Sequence, residues 1–270
     1  MHATLDDATA FVKEILEHYA SCYEELLAVP VIRGTKSEEE TFAGAYFSKT
    51  TEIYVPISGR GIQGATSHNL GQNFSKMFEV QYEDKDGKRQ FAWQTSWGLS
   101  TRSIGAMIMV HSDDKGLVLP PKVAQEQVVV VPILKTKDNQ QAILDYAYDL
   151  MKKLKAAGIR TIIDDRDKNP GNKFNHWEMR GIPLRLEIGA KEVDGGSVAY
   201  AKRNDGAKGK FPVKELVKNI EDLLGKIHTE MFQAALQARL EHQKDVFNWK
   251  DFMTEIMKRN ICMTPWCGEK

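Results

Sequence analysis

The feature that most constrains the fold is a strand, a helix and a second strand that follow one another between residues 126 and 165. The first strand, "EQVVVVPIL", is a continuous apolar run. The helical stretch "QQAILDYAYDLMKKLKAAG" ends at Gly158, before the strand "IRTIIDD". This order and spacing are typical of a βαβ unit with two parallel strands. We therefore predict an α/β domain, which "FNHWEMRG", "PLRLEIG" and "SVAYAKR" extend.

The residues before this unit have a different pattern, which indicates an antiparallel sheet with helices packed on it. Short strands alternate with glycine-rich turns through "TEIYVPISGRGIQGATSHNLGQNF". The Asp86-Gly87 pair predicts a hairpin turn between strands at about 78–83 and 90–97. The predicted fold class is therefore a multidomain protein that combines α+β and α/β parts.

We predict three domains from these changes of pattern. Residues 1–118 form the antiparallel part, residues 119–218 the α/β domain, and residues 219–270 a long helix followed by the start of a small domain. The stretch "LVLPPKV", which contains two prolines, is the expected linker between the first two.

The helix predicted after Ser100 carries one unusual charge. Ser100 can cap a helix whose apolar residues cover more than one face, as in a buried helix. Arg102 lies in the first turn, where the helix dipole disfavours a cation unless an anion is shared with it. A phosphate would supply that anion, because backbone N–H groups and a guanidinium converge there. The alternative is an arginine that extends into water.

Composition excludes some functions and favours others. The chain has 270 residues, 42% of them hydrophobic, and no run of about 18 apolar residues that could cross a membrane. Three cysteines do not form a disulfide framework and favour a reducing compartment, so we expect a cytoplasmic protein. Residues 151–218 carry 16 Lys and Arg against 9 Asp and Glu. This positive segment could attract RNA or could be an ordinary solvated face.

The sequence lacks the P-loop motif of many nucleotide-binding proteins, since it contains no GxxxxGK[ST] loop. The stretch "GRGIQG" has GxGxxG spacing, but it lies among short strands and turns and does not open a predicted helix, as a Rossmann fingerprint would. "GRGIQGATSHNLGQNF" has enough glycine for a backbone to approach a ligand closely, although it could also be a hydrogen-bonded loop.

Five blocks together resemble the prolyl-tRNA synthetases of the eukaryotic and archaeal type, which are class IIa synthetases. They are "FAGAYFSKTTE", "GIQGATSHNLGQNFSKMF", "TSWGLSTRSIGAMIMVHSDDKGLVLPP", "NKFNHWEMRGIPLRLEIG" and "PWCGE". The resemblance covers nearly the whole chain. It implies a class II catalytic part in which "GLSTRSIG" corresponds to the third signature motif, and a class IIa anticodon-binding domain after it.

The resemblance also implies an activity and a set of site residues. The family activates L-proline with ATP and transfers it to tRNA(Pro). By resemblance, Arg102 holds the ATP phosphates as the catalytic cation. The remaining residues expected to contact ATP are Gln63, which also lies near Mg2+, Thr66, Ser100 and Thr101. The expected proline pocket consists of Phe42, His68 and Trp97, for which core packing or a structural hydrogen bond is the alternative.

Other expectations concern RNA, zinc and the extent of the chain. Arg166, Lys173, Glu178 and Arg185 are candidates for anticodon contact, although the same residues could form a salt-bridged surface. Cys267 resembles the first Zn2+ ligand of the full-length family.

The family's first two signature motifs lie upstream of the block that resembles "HATLDDA". We therefore expect a fragment that is inactive in proline activation by itself, from a protein that is a homodimer at full length and does not bind membranes. A stand-alone tRNA-binding module and a regulatory paralogue remain alternatives.

Overall fold

The structure is a computed structural model that describes residues 1–134 and 139–267. These residues divide into two units. Met1–Glu25, Val29–Val110 and the residues from Ala235 form the first unit, and Leu26–Ala28 with His111–Ala234 form the second. The finer division predicted from the sequence, with boundaries after residues 118 and 218, stays a prediction.

The regular elements are numbered along the chain. The helices of the described residues are α1 (Leu5–Ser21), α2 (Asn73–Met77), α3 (Arg102–His111), α4 (Gln140–Ala156), α5 (Pro170–Met179), α6 (Ala190–Asp194), α7 (Leu216–His242) and α8 (Trp249–Met257). The strands are β1 (Ile32–Thr35), β2 (Phe47–Val55), β3 (Arg60–Gly71), β4 (Gln81–Glu83), β5 (Arg89–Phe91), β6 (Gln94–Gly98), β7 (Val128–Pro132), β8 (Thr161–Ile163), β9 (Leu184–Ile188), β10 (Ser197–Lys202), β11 (Lys208–Pro212), β12 (Gln243–Asp245) and β13 (Ile261–Met263).

The first unit is built on an antiparallel sheet with the strand order β1-β2-β3-β6. Helix α1 begins after Thr4, whose side chain accepts a hydrogen bond from the backbone N–H of Asp7. The buried side of the helix includes Ile15 and Tyr19, which pack against Ala65 of β3. One face of the sheet is therefore covered by α1.

The predicted hairpin is present, but its second strand is divided. Strands β4 and β5 pair through Gln81 and Phe91, and Gly87 adopts a φ of +74° in the turn between them. The chain then turns, and β6 pairs with β3 instead of continuing the hairpin.

The second unit contains the predicted βαβ arrangement. The order of its sheet is β11-β10-β9-β7-β8, with β7 parallel to both β8 and β9. Val128 and Val130 belong to the core beside α4 and α7, whereas Val129 and Val131 pack with Trp177 on the other face. The strand is buried on both faces, which explains its continuous apolar sequence. The predicted combination of α+β and α/β architecture is confirmed.

The stretch "LVLPPKV" is not a linker, which corrects the sequence prediction. Val118 is buried, and the backbone N–H groups of Leu117 and Leu119 donate to the carbonyl oxygens of Met179 and Gly181 at 3.0 and 3.2 Å. Backbone hydrogen bonds and apolar burial therefore make this segment part of the second unit, despite its two prolines.

Helix α3 also differs from its prediction. Of its apolar residues, Ala106 and Met107 are buried, whereas Ile104 and Met109 are exposed. A helix that contacts the core along one stripe keeps the rest of its apolar surface outside. None of the helices in residues 1–134 and 139–267 is long and apolar enough to cross a bilayer.

Candidate functional site

A β-bulge places two of the predicted ATP residues on one face of the sheet. Thr66 of β3 lies opposite Thr50 of β2, but the register then shifts so that Gln63 lies opposite Glu52. Side chains alternate along a regular strand, so residues three positions apart would point to opposite faces. The extra residue, Gly64, restores Gln63 to the face of Thr66.

The structure leaves no room for a side chain at Gly64. A Cβ atom there would lie 2.9 Å from Thr51 Oγ1 and 3.0 Å from a ring carbon of Tyr23. The hydroxyl of Tyr23 donates to the Gly64 carbonyl at 2.9 Å. The bulge is therefore held by a buried hydrogen bond from the far side of the sheet.

His68 is held between two hydroxyl groups on the same face as Thr66. Its Nδ1 lies 2.6 Å from Ser48 Oγ and its Nε2 lies 3.0 Å from Thr66 Oγ1. Burial lowers the pKa of His68, and the charge of Lys36 lowers it further. A neutral imidazole has one donor and one acceptor nitrogen, so this ring is fixed in orientation and uncharged near neutral pH.

Phe42 provides an apolar surface beside this histidine. The ring centroid of Phe42 lies 5.4 Å from that of His68 and 6.3 Å from that of Phe74. Phe42 remains about half exposed. The structure thus brings Phe42, His68, Thr66 and Gln63 together, with an open side available to a small apolar ligand.

Trp97 is not part of this group, which corrects the sequence prediction. It pairs with Ser67, whereas its neighbour Ser96 pairs with His68. Because side chains alternate, Trp97 lies on the α1 face, where its ring is 6.0 Å from Phe11. Ser96 shares the face of His68 and was missed, since only the register of β6 against β3 reveals it.

Arg102 begins α3 as predicted. Its backbone N–H donates to Ser100 Oγ at 3.3 Å, and the Ser100 carbonyl accepts from Ser103 at 3.1 Å. Ser100, Thr101 and Arg102 are all exposed. Within the part of the chain that the structure describes, the Arg102 guanidinium has no hydrogen bond or ion pair, so it is available to an anion.

Two further side chains of the polar face were missed from the sequence. Lys36 Nζ donates to Gln63 Oε1 at 2.6 Å, and Glu52 Oε1 accepts from Thr50 Oγ1 at 2.6 Å. Glu52 and Gln63 are cross-strand partners with oxygen atoms on one face. A carboxylate and an amide oxygen suit Mg2+, which is commonly held by one or two carboxylates together with substrate phosphates.

The role of Cys267 as a zinc ligand of the full-length protein stays a prediction. Cys267 is exposed. Among residues 1–134 and 139–267, no three His, Cys, Asp or Glu side chains are grouped so that they could hold a metal ion. Cys267 offers a single ligand, whereas structural zinc takes four.

In the second unit, a cavity of about 280 Å³ brings together two of the four predicted RNA-contact residues, Glu178 and Arg185. The Arg185 guanidinium lies over the Phe174 ring, 4.0 Å from its centroid, and pairs with Glu187 at 2.8 Å. Glu178 pairs with Lys115 at 3.2 Å. The other cations that line the cavity are Lys202, Arg203 and Lys208. Lys202 and Arg203 are buried and paired with Glu230 and Asp113, each at 2.6 Å, whereas Lys208 is exposed. The cavity therefore combines an aromatic face with an exposed lysine.

The other two candidates, Arg166 and Lys173, contact the buried Asp164 instead. Arg166 donates to both carboxylate oxygens at 2.8 and 2.7 Å, and Trp177 Nε1 donates to one of them at 2.7 Å. Burial would raise the pKa of Asp164, but these hydrogen bonds outweigh it and the pKa is lowered.

Lys173 is only 2% exposed, and its ammonium donates to the Asp164 carbonyl at 2.9 Å. Direct RNA contact by Lys173 is therefore excluded by its burial, which corrects the sequence prediction.

Comparisons with known proteins found one matching family and several similar proteins. Residues 127–223 match the family described as an anticodon binding domain. A putative proline–tRNA ligase of Schizosaccharomyces pombe is 49% identical over 279 residues, covering 99% of this chain and 39% of the relative. The cytoplasmic proline–tRNA ligase of Arabidopsis thaliana is 45% identical, with 51% of its length covered, and the proline–tRNA ligase of Cenarchaeum symbiosum is 46% identical, with 56% covered.

The chain thus spans between about two fifths and three fifths of the length of these relatives. The similarity extends over 99% of the chain. Over nearly its whole length, this chain is therefore similar to part of the proline–tRNA ligases of eukaryotes and archaea.

Proposed function

We propose that the chain provides the third-motif part of the catalytic site and the anticodon-binding domain of a proline–tRNA ligase. The complete activity is the formation of prolyl-adenylate from L-proline and ATP, followed by transfer to tRNA(Pro). The observation that carries this proposal is the polar face that joins Gln63, Thr66 and the neutral His68 beside Phe42, in a chain that is 43–49% identical to proline–tRNA ligases.

The proposed chemistry needs positioning and charge, without a protein nucleophile. The carboxylate of proline attacks the α-phosphorus of ATP, the bond from that phosphorus to the α,β-bridging oxygen breaks, and pyrophosphate leaves with the negative charge that accumulates on its oxygens. Phe42 and the uncharged His68 would contact the apolar ring of proline. Arg102 would hold the phosphates through its planar guanidinium. Glu52 and Gln63 would hold Mg2+, which neutralises the phosphates when bound.

Thr66, Ser100 and Thr101 complete the proposed ATP contacts. Thr66 already lies on the polar face through its hydrogen bond to His68. The hydroxyls of Ser100 and Thr101 are at the start of α3, next to the exposed Arg102. Trp97 is left out of the proposed proline pocket because it lies on the other face of the sheet.

For tRNA we propose the cavity beside Phe174 in the second unit as the main contact. An unstacked base could lie against Phe174 and Arg185, while lysines such as Lys208 meet phosphate oxygens. Glu178 could accept hydrogen bonds from a base edge, and the half-exposed Arg166 could extend the positive surface.

The remaining expectations are also proposals for the natural protein that carries this sequence. They are the domain division at residues 118 and 218, homodimer formation, a cytoplasmic location, and Zn2+ bound with Cys267 as one ligand.

The test is proline-dependent exchange of pyrophosphate into ATP, measured on the natural protein together with the binding of tRNA(Pro). Arg102→Ala should lower the exchange rate by about 10²–10³-fold, as expected for loss of a preorganised donor. Arg102→Lys should recover only part of the lost exchange rate, because an ammonium group cannot form the two parallel hydrogen bonds of a guanidinium. The matched control is Arg89→Ala, which removes an exposed arginine from β5.

An unchanged exchange rate in Arg102→Ala would show that this arginine has no role in the reaction. A second candidate function, a tRNA-binding module without catalysis, is favoured by the match of residues 127–223 to an anticodon binding domain. Tight tRNA(Pro) binding with no proline-dependent exchange in the natural protein would establish that alternative and reject the ligase.

A further inference from the structure

Lys36 extends across the polar face from a strand that carries none of the predicted site residues. It follows directly after β1, and its backbone N–H donates to the Ser48 carbonyl at 2.9 Å. This continues the pairing of Thr35 with Lys49, so the Lys36 side chain shares the face of Ser48. Because β2 separates β1 from β3, the side chain crosses β2 to reach Gln63.

The contact with Lys36 determines the orientation of the Gln63 amide. An ammonium group only donates hydrogen bonds, so at 2.6 Å it must face the amide oxygen and not the amide nitrogen. The NH₂ group of Gln63 is consequently left on the side away from Lys36. Without Lys36 the amide could rotate, because its two ends are similar in size and shape.

The positive charge of the Lys36 ammonium also affects the pKa of His68. His68 contacts Ser48, Thr66 and Phe42, and the charged side chains of Lys36 and Glu52 lie on the same face. The charge of Lys36 adds to burial in lowering the pKa of His68. A cation near the imidazole disfavours a second positive charge on the ring.

We propose that Lys36 is a positioning residue of this site, which fixes the amide of Gln63 and places a positive charge on the face of His68 through an ammonium group that crosses β2. Its role in catalysis rests on the proposed ligase function, in which Gln63 meets Mg2+ and ATP and His68 meets proline. The placement of the two side chains, by contrast, can be tested whether or not the chain catalyses the reaction.

The experiment compares the 270-residue chain with three variants by NMR. Lys36→Met removes the charge and the donor, and Lys36→Arg retains both. Lys49→Met removes a neighbouring lysine whose ammonium donates to Thr35 on the other face of the sheet. The measurements are the Gln63 side-chain amide resonances and the pH midpoint of the His68 ring resonances, with backbone spectra to verify folding.

We expect Lys36→Met to move the Gln63 amide resonances and to shift the His68 midpoint upward. Lys36→Arg should keep the His68 midpoint near that of the unmodified chain, and Lys49→Met should leave both signals unchanged. Folded Lys36→Met with unchanged Gln63 resonances and an unchanged His68 midpoint would overturn the proposal. So would an equal effect of Lys49→Met.

Pyrophosphate exchange by the natural protein is measured in parallel and decides a different question. If exchange is absent while Lys36→Met still shifts both signals, the ligase function fails and the positioning role of Lys36 remains. If exchange is present and neither signal moves, the ligase function remains and Lys36 has no positioning role.

Discussion

His111 should make the stability of the second unit depend on pH in the weakly acidic range. Its Nε2–H donates to the Leu27 carbonyl at 2.9 Å, and both residues belong to the second unit. Burial lowers the pKa of His111 to about 4, and the charge of His228 acts in the same direction, whereas the hydrogen bonds to the backbone at Leu27 and Ala28 act against it. The folded protein therefore favours the neutral form of the His111 imidazole.

The sign of the effect follows from proton binding. The pKa of His111 is 6.5 when unperturbed and about 4 in the folded protein, so between these values the unfolded chain binds more protons. The stabilisation is fully present above about pH 6.5 and is lost as the pH falls towards 4. The difference between these two pKa values corresponds to at most about 3 kcal/mol in the free energy of unfolding. Because part of the side chain is accessible to water, we expect a loss of about 2 kcal/mol.

The assay is urea unfolding at several pH values between 7 and 4, followed by circular dichroism and by NMR signals of the second unit. His111→Gln keeps a side-chain donor for the Leu27 carbonyl but cannot be protonated in this range. Subtracting its pH profile from that of the unmodified chain isolates the contribution of His111. His18→Gln, at an exposed histidine of α1, is the matched control. Parallel pH profiles for the unmodified chain and His111→Gln would refute the reasoning.

Three other outcomes test the packing and the metal prediction. Asp164→Ala should lower the free energy of unfolding by on the order of 2–3 kcal/mol, because it leaves the buried Trp177 N–H without an acceptor; a loss below about 0.5 kcal/mol, typical of surface changes, would contradict this. Gly64→Ala should cost about 1–3 kcal/mol by overpacking, whereas Gly61→Ala, with open space around the added carbon, should be nearly neutral; equal losses would argue against the crowded bulge. Zinc in the natural protein should fall after Cys267→Ser, and undiminished zinc would reject this ligand.

The second unit could be predicted from the sequence because its signals are local. Four consecutive valines from Val128, a helix ended by Gly158 and a second strand define a βαβ unit without reference to distant residues. The start of α3 at Arg102 follows in the same way from the capping serine. These elements required only periodicity and capping, which act within a few residues of one another.

The errors in the prediction arise where distant residues decide the structure. The segment that contains Val118 has the composition of a linker, but its hydrogen bonds go to residues about 60 positions later in the sequence. Lys173 appeared available to RNA because a lysine in a charged stretch is usually exposed. Its ammonium instead donates a hydrogen bond to the backbone carbonyl of Asp164, and this contact forms only when the chain is folded.

The polar face shows why the site residues could be recognised by resemblance but could not be arranged from the sequence. Gln63, Thr66 and His68 are separated by three and two positions, and in a regular strand the first would face away from the other two. The bulge at Gly64 removes this conflict. It requires a glycine because residues of β2 and Tyr23, which follows α1, leave no room for a side chain at this position. A register shift of one residue moves every side chain beyond it to the opposite face of the sheet. Which of these three side chains share a face is therefore defined only when β3 is paired with β2.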